Sequence, residues 1–223
     1  MIFIKLGRKE HMEQFRTGLL YMNTLSYFRE LEADTARADR REGVDSIIQP
    51  KDLGETYIDT GAPGVGRISI PPEDLAGPIT FSMNRTRHCN LFCLYALTKP
   101  VKNLLFPREH DWFGDSLVLV TNTQEFLNRL GIAATEQKLT MGGAPVEYYD
   151  DNSYSGRVGR FKKPSRFAHQ NEYRITIETG VDEAFRLQIG DISNLTSEVM
   201  PLDRADEFLK FTEADATEAG LNW

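Results

Sequence analysis

Gln170 and Glu172 stand two residues apart, with Arg174 two further on, inside the run Gln-Asn-Glu-Tyr-Arg-Ile-Thr-Ile-Glu. On an extended backbone side chains alternate between faces, so all three project to one side of a single strand. A carboxylate beside an amide suits reactions in which a sugar acquires positive charge. When a nicotinamide–ribose bond breaks, the ribose becomes oxocarbenium-like, and a fixed carboxylate stabilises it by the logic that governs glycosidases. The amide can orient the incoming acceptor. The same alternation also describes a half-exposed strand with a solvated polar face, where Glu172 and Arg174 form a structural pair worth about 1 kcal/mol or less. The pattern alone leaves both readings open.

Other chemistry-bearing groups lie in polar segments. Arg37, Arg40 and Arg41 precede Gly43 in a charged stretch that could hold phosphates or touch a macromolecular acceptor, or could be a self-neutralised loop turning at the glycine. Arg29, beside Tyr27 and Phe28, is a better single phosphate contact because its aromatic neighbours can hold it in place. A metal-dependent nuclease would draw on Asp39, Glu42, Asp150, Asp151 and Glu172, although Glu172 is followed by Tyr and Arg and not by the Lys such sites usually carry. His88, Cys89 and Cys93 fall short of a zinc centre, which needs four ligands in close pairs, so no metal is expected. Phosphate-loop and dinucleotide-fold signatures are missing; Gly61 to Gly66 lacks the Lys-Ser/Thr such a loop requires.

The elements that must position these groups follow from periodicity. Residues 2–6 alternate as a strand, Arg8–Thr17 has helical spacing with Met12 and Phe15 on one face, and Leu19–Met22 is a second strand leading to a short helix. Residues 33–66 are polar and rich in Gly, Pro and Asp, which predicts a long loop. Strands are predicted at Arg67–Ile70, Ile79–Met83, Asn90–Leu97 and Ser116–Val120, the last two apolar on both faces as central strands are. Thr121 with Gln124 predicts a helix start, and Gly131 its end after Leu130. Met141–Gly143 with Pro145 predicts a turn, Val146–Tyr149 a strand, Glu172–Glu178 the alternating strand, and Phe185–Ile189 a last strand. Asp203 is positioned to cap a terminal helix through Phe211, followed by a polar tail over 212–223. Strands outnumber helices without regular alternation, which makes the chain α+β.

At 223 residues the chain has the size of a single domain, 1–223, able to bury a core without disulfides. Its net charge of −7 argues against broad charge-driven binding to nucleic acid, but leaves room for a local basic channel from Arg37–Arg41, Arg85–His88 or Arg157–Arg166. No apolar run reaches the roughly 20 residues that span a bilayer, so no membrane partner is expected. The first residues read as a strand and not a signal peptide, and two cysteines are too few for a secreted disulfide scaffold, which together suggest a cytoplasmic protein.

Gln170-Asn171-Glu172 resembles the Gln-x-Glu signature of ADP-ribosyltransferases. The resemblance implies a split, mostly antiparallel sheet with peripheral helices, a catalytic Glu172, and Gln170 helping to choose the acceptor. It also implies NAD as substrate, held by Lys5 on the first strand with Tyr21 and Tyr27 on or after the second, to which Arg29 would add its phosphate contact. Acceptor contacts would come from Arg37, Arg40, Arg41 and Arg174, and the acceptor would be a protein or a nucleic acid. The sequence departs from that pattern in carrying Lys5 where Arg or His is usual and in lacking a Ser-Thr-Ser triplet. More broadly, "FRTGLLYMNTLSYFRELE", "RADRREGVD", "HCNLFCLYAL" and "FAHQNEYRITIE" resemble a family of uncharacterised bacterial and phage-associated proteins. Some of that family lie near anti-phage or toxin–antitoxin genes, which implies a toxin or defence role and a possible antitoxin or defence partner. A non-catalytic binding or regulatory module remains the alternative to either enzyme.

Overall fold

The computed structural model describes residues 1–30, 41–61, 64, 66–83, 88–97 and 113–205. The fold is mixed α+β: a mostly antiparallel sheet that does not close into a barrel, with a few helices at its periphery. The N-terminal elements form where hydrophobic periodicity places them: β1 (Ile2–Gly7), α1 (Lys9–Arg16), β2 (Leu19–Thr24) and α2 (Leu25–Glu30). Gly18 separates α1 from β2 with φ +84°, and a Cβ there would overlap the Gly190 carbonyl, so only glycine fits.

The predicted long loop is not structureless in its described part. It contains β3 (Ser46–Ile48) and β4 (Thr56–Asp59), the latter paired with β5 (Arg67–Ile70), and β6 (Ile79–Phe81) returns to pair with β3. Runs of three or four residues between Pro, Gly and Asp are too short to stand out in the sequence, and only Ile47 on β3 is fully buried.

β7 (Cys89–Leu97) is the axis of the main sheet, in the order β14–β2–β7–β1–β8–β15. Here β8 is Ser116–Val120, β14 is Phe185–Gln188 and β15 is Met200–Pro201. Along one edge β7 pairs with β13 (Glu172–Glu178) from Cys89 to Tyr95. Its other edge is shared: β2 pairs at Asn90 and Leu91, and β1 at Tyr95 to Leu97. The sheet therefore forks between β2 and β1, and the Cys93 carbonyl in the crotch accepts a hydrogen bond from Lys5 Nζ at 2.8 Å.

On one face Phe92, Leu94, Ile175 and Ile177 pack with Phe3, Met12, Phe15 and Phe126 into the principal core, covered by α1 and by α3 (Thr123–Glu136). α3 begins later and runs further than its sequence signals predict. Asn122, not Thr121, is the cap, accepting from the Glu125 N–H at 3.0 Å, and Gly131 lies inside the helix because Ala133 and Ala134 beyond it are buried in the core. The predicted turn at Met141–Pro145 is instead strand β9 (Thr140–Pro145), an edge strand beside β13. Its glycines allow close approach: a Cβ on Gly142 would sit 2.9 Å from Thr176 Oγ1, and one on Gly143 3.0 Å from the Tyr173 hydroxyl.

The opposite face of β7 and β13 is covered by α2, the turn at 41–43, and β10 (Glu147–Tyr149) paired with β12 (Lys162–Pro164), which with β11 (Gly156–Arg157) completes the strands. β10–β12 is the one parallel pair among the described strands. Leu202–Arg204 is a single 3-10 turn; the expected terminal helix beyond Ala205, the polar tail, Asp39, and Arg37 with Arg40 lie outside the described residues. Among the described residues no helix is long and apolar enough to cross a membrane.

Candidate functional site

The polar face of β13 is buried, so the solvated-strand reading is corrected. Glu172, Arg174 and Thr176 are as enclosed as Ile175 and Ile177, because a second layer lies over them. The strand begins at Glu172; Gln170 instead ends a 3-10 segment, Ser165–Gln170, and Asn171 between them takes a left-handed conformation at φ +38°. Asparagine tolerates that region better than most residues. The amide and the carboxylate nevertheless meet, through a residue that strand alternation gives no hint of. Lys163 Nζ donates to Gln170 Oε1 at 2.8 Å and to Glu172 Oε2 at 3.2 Å.

Arg174, expected to touch an acceptor, is an internal cation, 1% exposed. Its two Nη atoms donate to the two carboxylate oxygens of Glu42 at 2.7 Å each, its Nε to Glu172 Oε1 at 2.7 Å, and Nη1 also to the Arg160 carbonyl at 2.7 Å. Two carboxylates and two cations thus form a neutral, hydrogen-bonded cluster in which every charge is opposed, the condition under which buried charges are tolerated. Burial alone would push the Glu172 carboxyl up, but the Arg174 and Lys163 charges outweigh it and hold the group well below the usual carboxylate range. Burial opposes the charge on Arg174 as well, and the two carboxylates override it and keep the guanidinium ionised. The Cys93 thiol is pushed up by burial and then by the Glu172 charge, and the Cys89 thiol rises to about 11, chiefly through burial. Neither thiol is a thiolate nucleophile at neutral pH.

Above this cluster lies a recess of about 140 Å³ with Glu42, Lys163, Gln170, Glu172 and Arg174 on its polar side and Phe28, Leu91, Tyr95 and Phe113 on its apolar side. A second depression of about 460 Å³ occupies the fork, lined by Lys5, His11, Tyr21, Phe92 and Arg186. The two share Leu6 and Phe113 in their walls. Lys5 Nζ sits 4.2 Å over the Phe92 ring, and the Arg186 guanidinium 5.7 Å over the Tyr21 ring.

Of the residues expected to hold a dinucleotide, Lys5 and Tyr21 border the fork, while Tyr27 borders neither cavity; its neighbour Phe28 lines the recess instead. Arg29 donates through Nε to the Glu42 carbonyl at 3.1 Å, which fixes the turn that delivers Glu42. Arg41 pairs with Asp151, which also receives Arg166. Of the carboxylates proposed for a nuclease, the four described are all engaged by protein groups: Glu42 and Glu172 on Arg174, Asp151 on two arginines, Asp150 on Ser153 and the Asn152 N–H. Phe113, Arg186, Asn23 and Lys163 are site residues that sequence reasoning missed; the run of basic residues around Lys163 was the one available signal, and it reads as a solvated loop. No family model, curated protein or solved structure matches this chain.

Proposed function

We propose that the protein cleaves NAD and transfers ADP-ribose to a macromolecular acceptor, with Glu172 as the catalytic carboxylate. The observation that carries this reading is a carboxylate, held by Arg174 and Lys163, at a small, mostly apolar recess beside a forked sheet. A carboxylate held far below neutral pH has no proton to give as a general acid, but it suits the stabilisation of developing positive charge. The recess volume of about 140 Å³ is close to the ~150 Å³ cavity that accepts a benzene-sized ring, so it would admit nicotinamide and not the whole dinucleotide. The remainder would run past Leu6 and Phe113 into the fork, where Lys5 and Arg186 supply positive charge and Tyr21 an aromatic surface.

In the reaction the bond from ribose C1′ to the nicotinamide nitrogen breaks and its electron pair leaves with nicotinamide. An acceptor oxygen or nitrogen then bonds to C1′ and releases its proton to solvent or a nearby base. Lys163 holds Gln170 through its side-chain oxygen beside Glu172, so that both residues line the recess an acceptor would approach. The fork of the main sheet between β1 and β2 supports this reading by giving the dinucleotide a path past the recess.

The test is nicotinamide release from NAD by the purified protein, measured alongside incorporation of labelled ADP-ribose into separate protein and nucleic-acid acceptors. Wild type should release nicotinamide, and Glu172→Gln should lose at least about 10²-fold of the rate with its circular dichroism retained. Absence of both release and labelling with either acceptor class overturns the proposal.

A further inference from the structure

Residues 49–78 leave the sheet at β3 and return at β6. At the base of this excursion two proline-started 3-10 turns, Pro50–Asp52 and Pro72–Asp74, pack together, and beyond them β4 and β5 form an antiparallel ribbon from Thr56 opposite Ile70 to Asp59 opposite Arg67. Strand alternation sorts the ribbon into two unlike faces. One carries Tyr57, Asp59 and Arg67, which satisfy each other: Arg67 Nε lies 3.6 Å from Asp59 Oδ2, and its guanidinium stacks 4.2 Å over the Tyr57 ring. The other carries Thr56, Ile58, Ile68 and Ile70, with Ile58 directly opposite Ile68. That isoleucine pair is 54% and 50% exposed.

β4 and β5 pair only with each other among the described strands, so each keeps one open hydrogen-bonding edge. A two-stranded ribbon is at best marginally stable in water, and an uncovered β-branched cross-strand pair is the kind of surface that binding covers. The charge of the arm narrows the occupant. Residues 49–78 hold five carboxylates against Lys51 and Arg67 alone, and Arg67 is already committed to Asp59. Nucleic acid and anionic lipid are repelled by such a surface, and a second copy would bring an equally acidic arm to the same place.

We infer that the β4–β5 arm is a docking edge for a protein partner presenting an extended segment in which apolar and basic residues alternate. The segment adds as a third strand, its apolar side chains extending the Ile58–Ile68 face and its Lys or Arg residues falling on the opposite face, drawn by the arm's net negative charge. This is strand addition to an open sheet edge, where backbone hydrogen bonds supply affinity and alternate side chains supply selectivity. The inference is independent of any activity at Glu172.

The test uses the full-length protein and fluorescence anisotropy with a labelled peptide of alternating Lys and Val. Two comparison peptides are the same alternation of Glu and Val, and the Lys–Val peptide interrupted by Pro. Wild type should bind the first at least tenfold more tightly than either comparison. The double variant Ile58→Thr, Ile68→Thr, which keeps charge and strand-forming residues, should lose tenfold in affinity. Equal binding of the Pro-interrupted peptide, or unchanged binding by the double variant, overturns the inference in favour of charge attraction without strand pairing. Sedimentation showing a wild-type dimer that the double variant abolishes also overturns it, making a second copy the occupant.

Discussion

Replacing Glu42 with Gln tests whether the Glu42–Arg174–Glu172–Lys163 cluster is the buried ionic unit that the distances describe. The substitution keeps shape but turns a neutral cluster into one with a net buried positive charge, and sets an amide N–H₂ against one Arg174 Nη. Breaking a buried pair by removing one partner costs about 3–5 kcal/mol. Arg174 keeps Glu172 and the Arg160 carbonyl, so the lower end applies, about 3 kcal/mol. For a chain of this size that is a fall in Tm of roughly 6–12 °C. Urea unfolding followed by circular dichroism gives the free energy directly, provided the transition is two-state. A double replacement, Glu42→Met with Arg174→Met, removes one charge of each sign and leaves the Glu172–Lys163 pair intact, so it should be more stable than Glu42→Met alone by at least about 1 kcal/mol. If Glu42→Gln costs less than about 1 kcal/mol, or the double replacement is the less stable of the two, the cluster does not act as a buried ionic unit.

Acid should unfold the protein in a way that depends on Glu172. Its folded pKa is depressed, so its contribution is complete above the ordinary carboxylate range near ~4.3 and is lost as pH falls through and below that range. Wild-type stability should therefore drop more steeply than that of Glu172→Gln below about pH 4, by up to ~1.4 kcal/mol per pH unit, as read by urea titrations at stepped pH; parallel slopes would contradict the ionised state. The Cys89 thiol should resist a thiol-specific reagent at pH 8 in the native protein and react promptly after denaturation, because it is fully buried with its pKa raised to about 11; fast native labelling mapped to Cys89 by peptide mass would refute that burial. Asn122→Ala should cost about 1 kcal/mol through loss of the α3 cap, and Thr121→Ala should cost less, with chemical denaturation deciding between the two caps. Gly18→Ala should prevent native folding or cost several kcal/mol, since it combines a left-handed φ with overlap onto Gly190; a native-like Tm would refute the close approach.

Where hydrophobic pattern and burial agreed, the sequence was readable. β1, α1, β2, β7 and β8 lie within a residue or two of their expected positions because each has one face, or both, in a core. β9 was not readable, since Gly-Gly-Ala-Pro is turn chemistry until Thr176 and Tyr173 are known to press against it. The Gln170–Glu172 meeting was legible for the wrong reason: the two converge through Lys163, not through strand alternation. The ion pair of Arg174 was not legible because its partner Glu42 lies 132 positions away, and no local signal marks a pairing over that distance. The short strands β3 and β4 escaped notice for a related reason, as their partners β6 and β5 are what define them.

The span between Glu42 and Arg174 also bears on how the chain acquires its structure. Early in synthesis the segment bearing Glu42 has no guanidinium to receive its charge, and burying an uncompensated carboxylate is disfavoured. The turn at 41–43, and with it the layer over β7, can settle only after β13 has left the ribosome. β7 likewise obtains β2 and β1 early but β13 late, so assembly is dominated by contacts distant along the chain, a topology associated with slow folding. Until Arg174 arrives, the strand destined for the centre of the sheet has an exposed edge, and that interval is when the nascent protein is most open to mispairing.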